Sequence, residues 1–255
     1  MPLVRCGRPG FLQRERRRNV RTNRIGLLMM TTLALLAVAA QANAAAPRVL
    51  FRDDFATLDT RAWIVEAEPA RGGTPAPPVY THGHRLVLDS AGGLTVWLNR
   101  RLAGHYEIDY TRTVVDRGGP HDRVSDLNQF WLANAASGDP AATPFGRSGK
   151  FSDYDSLDLF YAGVGGNGNT TTRFRHYDGS ATRPLLAEYT SRPWLLEGNR
   201  SYRIRIVVDG GGTRFYLDGR PCFAAAGPLR TDGYFGFRST ASRQTISDFS
   251  IRALP

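Results

Sequence analysis

Beyond residue 45, apolar residues recur in short runs of period two, and almost nowhere with the 3.6-residue period of an amphipathic helix. The runs VLFRDDF, AWIVEAE, RLVLDS, LTVWLNR, HYEIDYTRTVV, NQFWLAN, SLDLFYAGV, TTRFRHY, LLAEYT, SYRIRIVVDG, TRFYLDG, GYFGFRS and TISDFSIRAL carry the β-branched and aromatic residues, which predicts about 13 strands. Gly, Pro, Asn and Asp punctuate them, and the stretches at 70–78 and 136–149 are loops by their Gly and Pro content. No internal repeat is present, and strand texture resumes on both sides of each loop. The expected class is all-β, an antiparallel β-sandwich or jelly roll.

The last third shows the alternation best. In YRIRIVV, Arg203 and Arg205 point outward while Tyr202, Ile204 and Ile206 point inward. Asp209-Gly210-Gly211-Gly212 turns the chain, and Asp218-Gly219 is a hairpin turn pair. Gly233 and Gly236 alternate with aromatics, as where strands approach closely. In the closing run, Ile246, Asp248 and Ser250 alternate with Ser247, Phe249 and Ile251.

The N-terminus has another texture. Eight arginines lie between Arg5 and Arg24, IGLLMMTTLALLAVAA fills residues 25–40, and Ala42-Asn43-Ala44 follows. A basic segment, an apolar segment and a small-residue site read as a secretory signal peptide at 1–44, ahead of a single domain at 45–255. The apolar run falls short of the roughly 20 residues a membrane span needs. A secreted or periplasmic protein is expected, with no membrane attachment after cleavage. The leader also holds most of the surplus charge. The whole chain is +10, but eight of its 33 basic and one of its 23 acidic residues lie in the leader, leaving a net charge near +3. That removes the basis for a nucleic-acid partner. Cys6 leaves with the leader, so Cys222 has no intrachain partner and reads as a small buried apolar residue. Stability must come from burial, which about 210 residues can supply as one core.

The opening FRDDF, the hairpin FYLDGRPCF, the strand GYFGFR and the closing ISDFSI together resemble the concanavalin A-like (laminarinase-type) jelly rolls, over roughly residues 48–253. DLNQFW and YAGVGGNGNTTTRFRHY further resemble a family of secreted jelly-roll domains of unknown activity from polysaccharide-degrading bacteria. The resemblance implies a polysaccharide or oligosaccharide ligand. It also implies a structural calcium between the first and last strands, where Asp54 and Asp248 fall at corresponding places; no other cofactor is expected. His82 and His84 alone lack the third ligand of a zinc site.

The candidate chemistry concentrates in residues 126–178. Glu107-Ile108-Asp109 is similar to the opening of the laminarinase-type E-[IL]-D-x-x-E signature, but Thr111 and Arg112 stand where the second acid belongs. Retaining hydrolysis needs two carboxyls about 5–5.5 Å apart, so Glu107 and Asp109 read as a solvated strand face, and the departure argues against the standard hydrolase mechanism. LFYAGVGGN is similar to part of the Y-x-A-G-x-Y-x-Q motif of jelly-roll alginate lyases and aligns Tyr161 with a motif tyrosine. β-Elimination on a uronate needs a base beside the sugar carboxylate and a group that neutralises that carboxylate. TTTRFRHY places Thr171, Arg173, Arg175 and Tyr177 on one face, with Thr172, Phe174 and His176 on the other. Tyr161, Arg173, Arg175, His176 and Tyr177 are therefore the candidate catalytic residues. Asn128, Gln129 and Trp131 in DLNQFW suit a sugar, which stacks on a ring and bonds an amide; Asn167 and Asn169 in GGNGNTTT serve either turn geometry or sugar hydroxyls. The expected protein is a monomer acting on an acidic polysaccharide by β-elimination. A non-catalytic carbohydrate-binding domain, or a glycoside hydrolase with a non-standard acid pair, is the alternative. For hydrolysis, Glu107, Asp109, Asp126 and Asp155 are the acids to consider.

Overall fold

The computed structural model describes residues 48–69, 78–139, 141–227 and 229–255. The expected signal peptide, with Cys6, and residues 70–77 of the first loop lie outside them. Among the described residues the strands are β1 (Val49–Asp53), β2 (Trp63–Ala67), β3 (Val79–Thr81), β4 (Leu86–Leu98), β5 (Tyr106–Val114), β6 (Leu127–Ala135), β7 (Leu157–Gly165), β8 (Thr171–Asp178), β9 (Leu185–Tyr189), β10 (Ser201–Asp209), β11 (Gly212–Leu217), β12 (Arg220–Ala226) and β13 (Tyr234–Ala253). Their pairings are all antiparallel. Helix is confined to short turns at Phe151–Tyr154 and Gly166–Asn169. The all-β sandwich is the fold.

The 13 strands match the expected number because two differences cancel. RLVLDS and LTVWLNR are one strand, β4, and GYFGFRS and TISDFSIRAL are one strand, β13; β3 and β12 are absent from the 13 runs, although the hairpin FYLDGRPCF implies β12. Gly92-Gly93 resembles a turn in sequence but belongs to a bulge. Opposite it Ala241 takes φ 46°, and the β4–β13 register shifts between Thr240 and Ser242. A second bulge lies between Ser247 and Ser250, where Asp248 takes φ 58°. It changes the phase of the closing strand, so Ile246, Phe249 and Ile251 are all fully buried instead of falling on opposite faces.

β13 joins the two layers. It pairs β6 up to Arg238 and β5 from Gln244 onward, with β4 and then β1 along its other edge. The front layer continues β6-β7-β8-β9, and the back layer continues β5-β10-β11-β12. Their facing sides meet through stacked rings: Trp131 of β6 on Phe215 of β11, and Phe174 of β8 on Phe223 of β12. Hairpin chemistry follows the sequence. β10 and β11 close through Gly210-Gly211, and β11 and β12 through Asp218-Gly219, the latter pair at positive φ as a type I′ turn requires. Cys222 is buried, which pushes its thiol up to about 12.

A second apolar cluster lies on the outer face of the front layer. Trp97, Phe130, Tyr154, Leu157, Leu159, Tyr161 and Tyr177 form it, with Phe145 and Phe151 packed from the loop between β6 and β7. Both faces of β6 and β7 are thus covered, which explains why these strands are buried almost throughout instead of alternating.

Candidate functional site

Two rows of residues cross the outer face of the front layer from strand to strand. The polar row is Glu66 (β2), Thr95 (β4), Arg238 (β13), Asn128 (β6), Gly163 (β7), Arg173 (β8) and Glu188 (β9), each paired with the next. Beside it runs Trp97, Gly236, Phe130, Tyr161 and Arg175. Gly236 is required here, because a Cβ would stand 2.6 Å from the Trp97 ring.

The loop between β6 and β7 covers one end of the polar row. Glu66, only 5% exposed, accepts hydrogen bonds from Arg147 N (2.9 Å), Tyr154 Oη (2.8 Å) and Trp97 Nε1 (3.0 Å). Arg238, 1% exposed, donates through Nη1 to Gly149 O (2.5 Å) and Thr95 Oγ1 (3.2 Å). Behind the row, fully buried Arg112 of β5 donates to Gln244 Oε1 (2.7 Å), Asn128 O (2.6 Å) and Arg238 O (2.9 Å). Burial pushes its guanidinium down to about 10, so it keeps its charge at neutral pH.

Over the other end the row is open and forms a cavity of about 530 Å³. Tyr161, Asn128 and Gly163 floor it, Arg173 and Arg175 flank it, and Asp126, Asn167, Phe151 and Arg183 complete the walls. A Cβ at Gly163 would lie 2.1 Å from Tyr161 Oη and 2.8 Å from Asn128 Oδ1, so glycine lets both polar atoms converge there. Burial pushes the Tyr161 hydroxyl well above the ordinary phenol range.

The charges are unevenly matched. Arg173 pairs with Glu188. Arg183 forks onto Asp155 at 2.5 and 2.8 Å, and this hydrogen bonding raises the guanidinium further. Asp126 takes Arg123 and Ser125 Oγ (2.9 Å). Arg175 donates to the Arg183 carbonyl (2.5 Å), and among the described residues no carboxylate lies within 4 Å of it. Arg175 is the cation left for a ligand.

The sequence candidates thus divide. Tyr161, Arg173, Arg175, Asn128 and Asn167 come together at the cavity. Tyr177 is on the same face but fully buried beneath Phe151, with ring centroids 6.4 Å apart. His176 is on the other face of β8, stacked on Phe160 (4.6 Å) with Nε2 2.9 Å from Asp158. Gln129 and Trp131 are removed from the ligand-facing set by burial. Gln129 bonds Tyr110 Oη (2.9 Å) and Ala162 O (2.5 Å), and Trp131 donates to Thr213 Oγ1 (2.8 Å) between the layers. Asn169 holds both backbone groups of Leu196, at 2.8 and 2.9 Å. Glu107 and Asp109 belong to the back layer and are ion-paired, Asp109 with Arg203 at 2.9 Å and Glu107 with Arg252 at 3.5 Å.

The calcium expectation does not fit the residues present. Asp54 is two-thirds exposed; its Oδ1 accepts Ala56 N (3.0 Å), and its Oδ2 lies 3.6 Å from His84 Nδ1. Asp248 Oδ2 accepts Ser247 Oγ (2.8 Å). Among the described residues no group of three or more His, Cys, Asp or Glu side chains is placed to hold a metal, whereas calcium takes six to eight oxygens.

Sequence reasoning overlooked Arg112, Arg238, Glu66, Phe151 and Arg183. The first had a signal. The phase that turns Ile108 and Tyr110 inward also turns Arg112 inward.

An antiparallel sandwich with these two layers is a galectin-like jelly roll, and solved structures agree. A protein of unknown function with a galectin-like fold from Bacillus subtilis is similar at TM-score 0.60 and 17% identity, covering 81% of this chain and 96% of that one. The endo-β-1,3-glucanase of Pyrococcus furiosus is similar at TM-score 0.57 and 7% identity, covering 81% and 94%. The exoplasmic/lumenal domain of VIP36, solved with Ca2+ and Man3GlcNAc bound, is similar at TM-score 0.53 and 11% identity, covering 77% and 86%. No curated protein matches the chain. Residues 88–249 match the family described as a domain of unknown function (DUF6250), and the chain belongs to that family.

Proposed function

We propose that the chain recognises an acidic saccharide in the outer-face cavity, with a sugar carboxylate on Arg175 and hydroxyls on Asn128, Asn167 and Arg173. The observation that carries this reading is the unpaired Arg175 guanidinium, facing Tyr161 across the ladder at the wall of the cavity. A guanidinium fork matches a carboxylate in geometry and charge. A glucanase and a sugar-bound lectin domain among the similar folds support a saccharide as the ligand. The test is calorimetric titration with uronate oligosaccharides and with neutral glucans of equal length. Uronates should bind and neutral glucans should not, and Arg175→Ala should abolish the difference.

β-Elimination is the second reading, favoured by Tyr161 Oη lying among Arg175, Asn128 and Gly163. In that step Asp126, whose carboxylate lines the cavity, takes the proton next to the sugar carboxylate, a carbon–carbon double bond forms, the glycosidic C–O bond breaks and Tyr161 protonates the leaving oxygen. Appearance of the unsaturated product by ultraviolet absorbance tests it. Export by the 1–44 leader is proposed with both readings; a mature N-terminus near Ala45 is the expected result of N-terminal sequencing.

A further inference from the structure

Among the described residues, four buried side-chain polar atoms have no hydrogen-bond partner: Tyr106 Oη, Asn128 Oδ1, Tyr177 Oη and Arg238 Nε. Leaving a buried polar atom unpaired is costly and uncommon. The last three share the outer face of the front layer. Asn128 already lines the open cavity, and Arg238 is its direct partner across the β6–β13 ladder. Arg238 Nη2 is also 3.5 Å from Thr240 Oγ1, another residue of the cavity wall.

One side chain separates the cavity from the other two atoms. The Phe151 ring lines the cavity, lies 5.1 Å from the Arg238 guanidinium carbon and 6.4 Å from the Tyr177 ring, and carries Arg183 at 4.8 Å. It stands on a four-residue turn in the loop, not on a strand, so it can move without breaking the sheet. Among the described residues no carboxylate lies within 4 Å of Arg238.

We propose that the cavity continues beneath Phe151 into a second anion subsite whose donors are Arg238 Nε and Tyr177 Oη, while Asn128 Oδ1, an acceptor, takes a hydrogen bond from a sugar hydroxyl. Arg175 lines the open cavity, whereas Arg238 and Tyr177 do not line it and both lie against the Phe151 ring, so the two sites take separate groups of the ligand. The full ligand is therefore an oligosaccharide with acidic groups on more than one sugar. This rests on the cavity being an acidic-saccharide site.

The experiment compares monomer with tetramer of galacturonate, mannuronate and glucuronate by calorimetry on the full chain, and reads the ratio of tetramer to monomer affinity. In the series that binds, the ratio should be at least about tenfold, the effect of one added charge-assisted contact. It should rise further in Phe151→Ala. Tyr177→Phe, which removes only the unpaired hydroxyl and keeps the ring, should lower it severalfold, and Arg238→Gln should bring it near one. A ratio unmoved by both Tyr177→Phe and Arg238→Gln, in folded protein, overturns the second subsite alone. Monomer binding that ignores Arg175→Ala, or no uronate binding at all, overturns the underlying reading and this one with it.

Discussion

Tyr161 and Arg175 are direct partners across the β7–β8 ladder, and both side chains project onto the outer face of the front layer. Gly163 leaves room for the Tyr161 hydroxyl to bend toward Asn128 Oδ1, while the Arg175 guanidinium stays unpaired beside it. A cation and a hydroxyl are therefore set side by side by one register of the sheet, and the Arg183 carbonyl of the β8–β9 loop holds the guanidinium.

Arg175→Ala should weaken acidic-saccharide binding by about 1.5–3 kcal/mol, tenfold or more in Kd. Its hydrogen bond in the fold is a single one to the Arg183 carbonyl, so the unfolding midpoint should move little. Tyr161→Phe should leave Kd nearly unchanged and reduce turnover if that hydroxyl protonates a leaving oxygen. Titration and ultraviolet assays on the same preparations separate the two effects.

Glu66 should matter for stability more than for binding. It is nearly fully buried and accepts from Arg147 N, Tyr154 Oη and Trp97 Nε1. Glu66→Ala leaves three buried donors unpaired, a loss of about 3–5 kcal/mol by the cost of breaking a buried charged contact. Denaturant unfolding measures it, and protease cutting within residues 141–156 should quicken because the loop loses its main anchor.

The strands and hairpins were legible in sequence because one-sided burial leaves a period of two. YRIRIVV, with Arg203 and Arg205 outside and Ile204 and Ile206 inside, is such a case. Legibility failed where the outer face is also covered. In NQFWLAN every residue from Asn128 to Asn134 is buried, so alternation could not tell Trp131 in the inner core from Asn128 at the cavity. Bulges were invisible for a related reason, since Gly92-Gly93 has the composition of a turn whether or not the strand continues. On β8 the alternation did reach the site. It put Arg173 and Arg175 together and His176 opposite, the arrangement observed. Arg238 and Glu66 come from strands distant in sequence and join the row through pairing alone.

His176 predicts a pH dependence of stability separate from the cavity. Its hydrogen bond with Asp158 raises its pKa, partial burial opposes this, and Asp158 and Asp178 add attraction. A raised folded-state value means the stabilisation is full below the unfolded value of about 6.5. It is lost as pH rises through the folded value. The midpoint of thermal unfolding should therefore fall modestly across this window, less so in high salt because the pair is over one-third exposed. His176→Gln should flatten the fall, and Kd for the saccharide should show no matching step.

The remaining carboxylates separate hydrolysis from the readings favoured above. Asp109 is forked by Arg203 at 3.0 and 2.9 Å, and Glu107 lies 3.8 Å from Arg205, both in the back layer and outside the cavity. Arg203 is largely exposed, so Asp109→Asn should cost only about 0.2–1 kcal/mol of stability. Neither Asp109→Asn nor Glu107→Gln should alter saccharide binding. Asp126 differs. Among the described residues it is the one carboxylate lining the cavity, and its charge opposes an acidic ligand. Asp126→Asn keeps a residue tolerant of φ 62° and should tighten uronate binding a few-fold by removing that repulsion. If Asp126 accepts a proton during elimination, the same variant should bind more tightly yet release no unsaturated product. Reducing ends that appear without ultraviolet absorbance, and disappear in Glu107→Gln, would move the reaction to the back layer and overturn the assignment of the cavity.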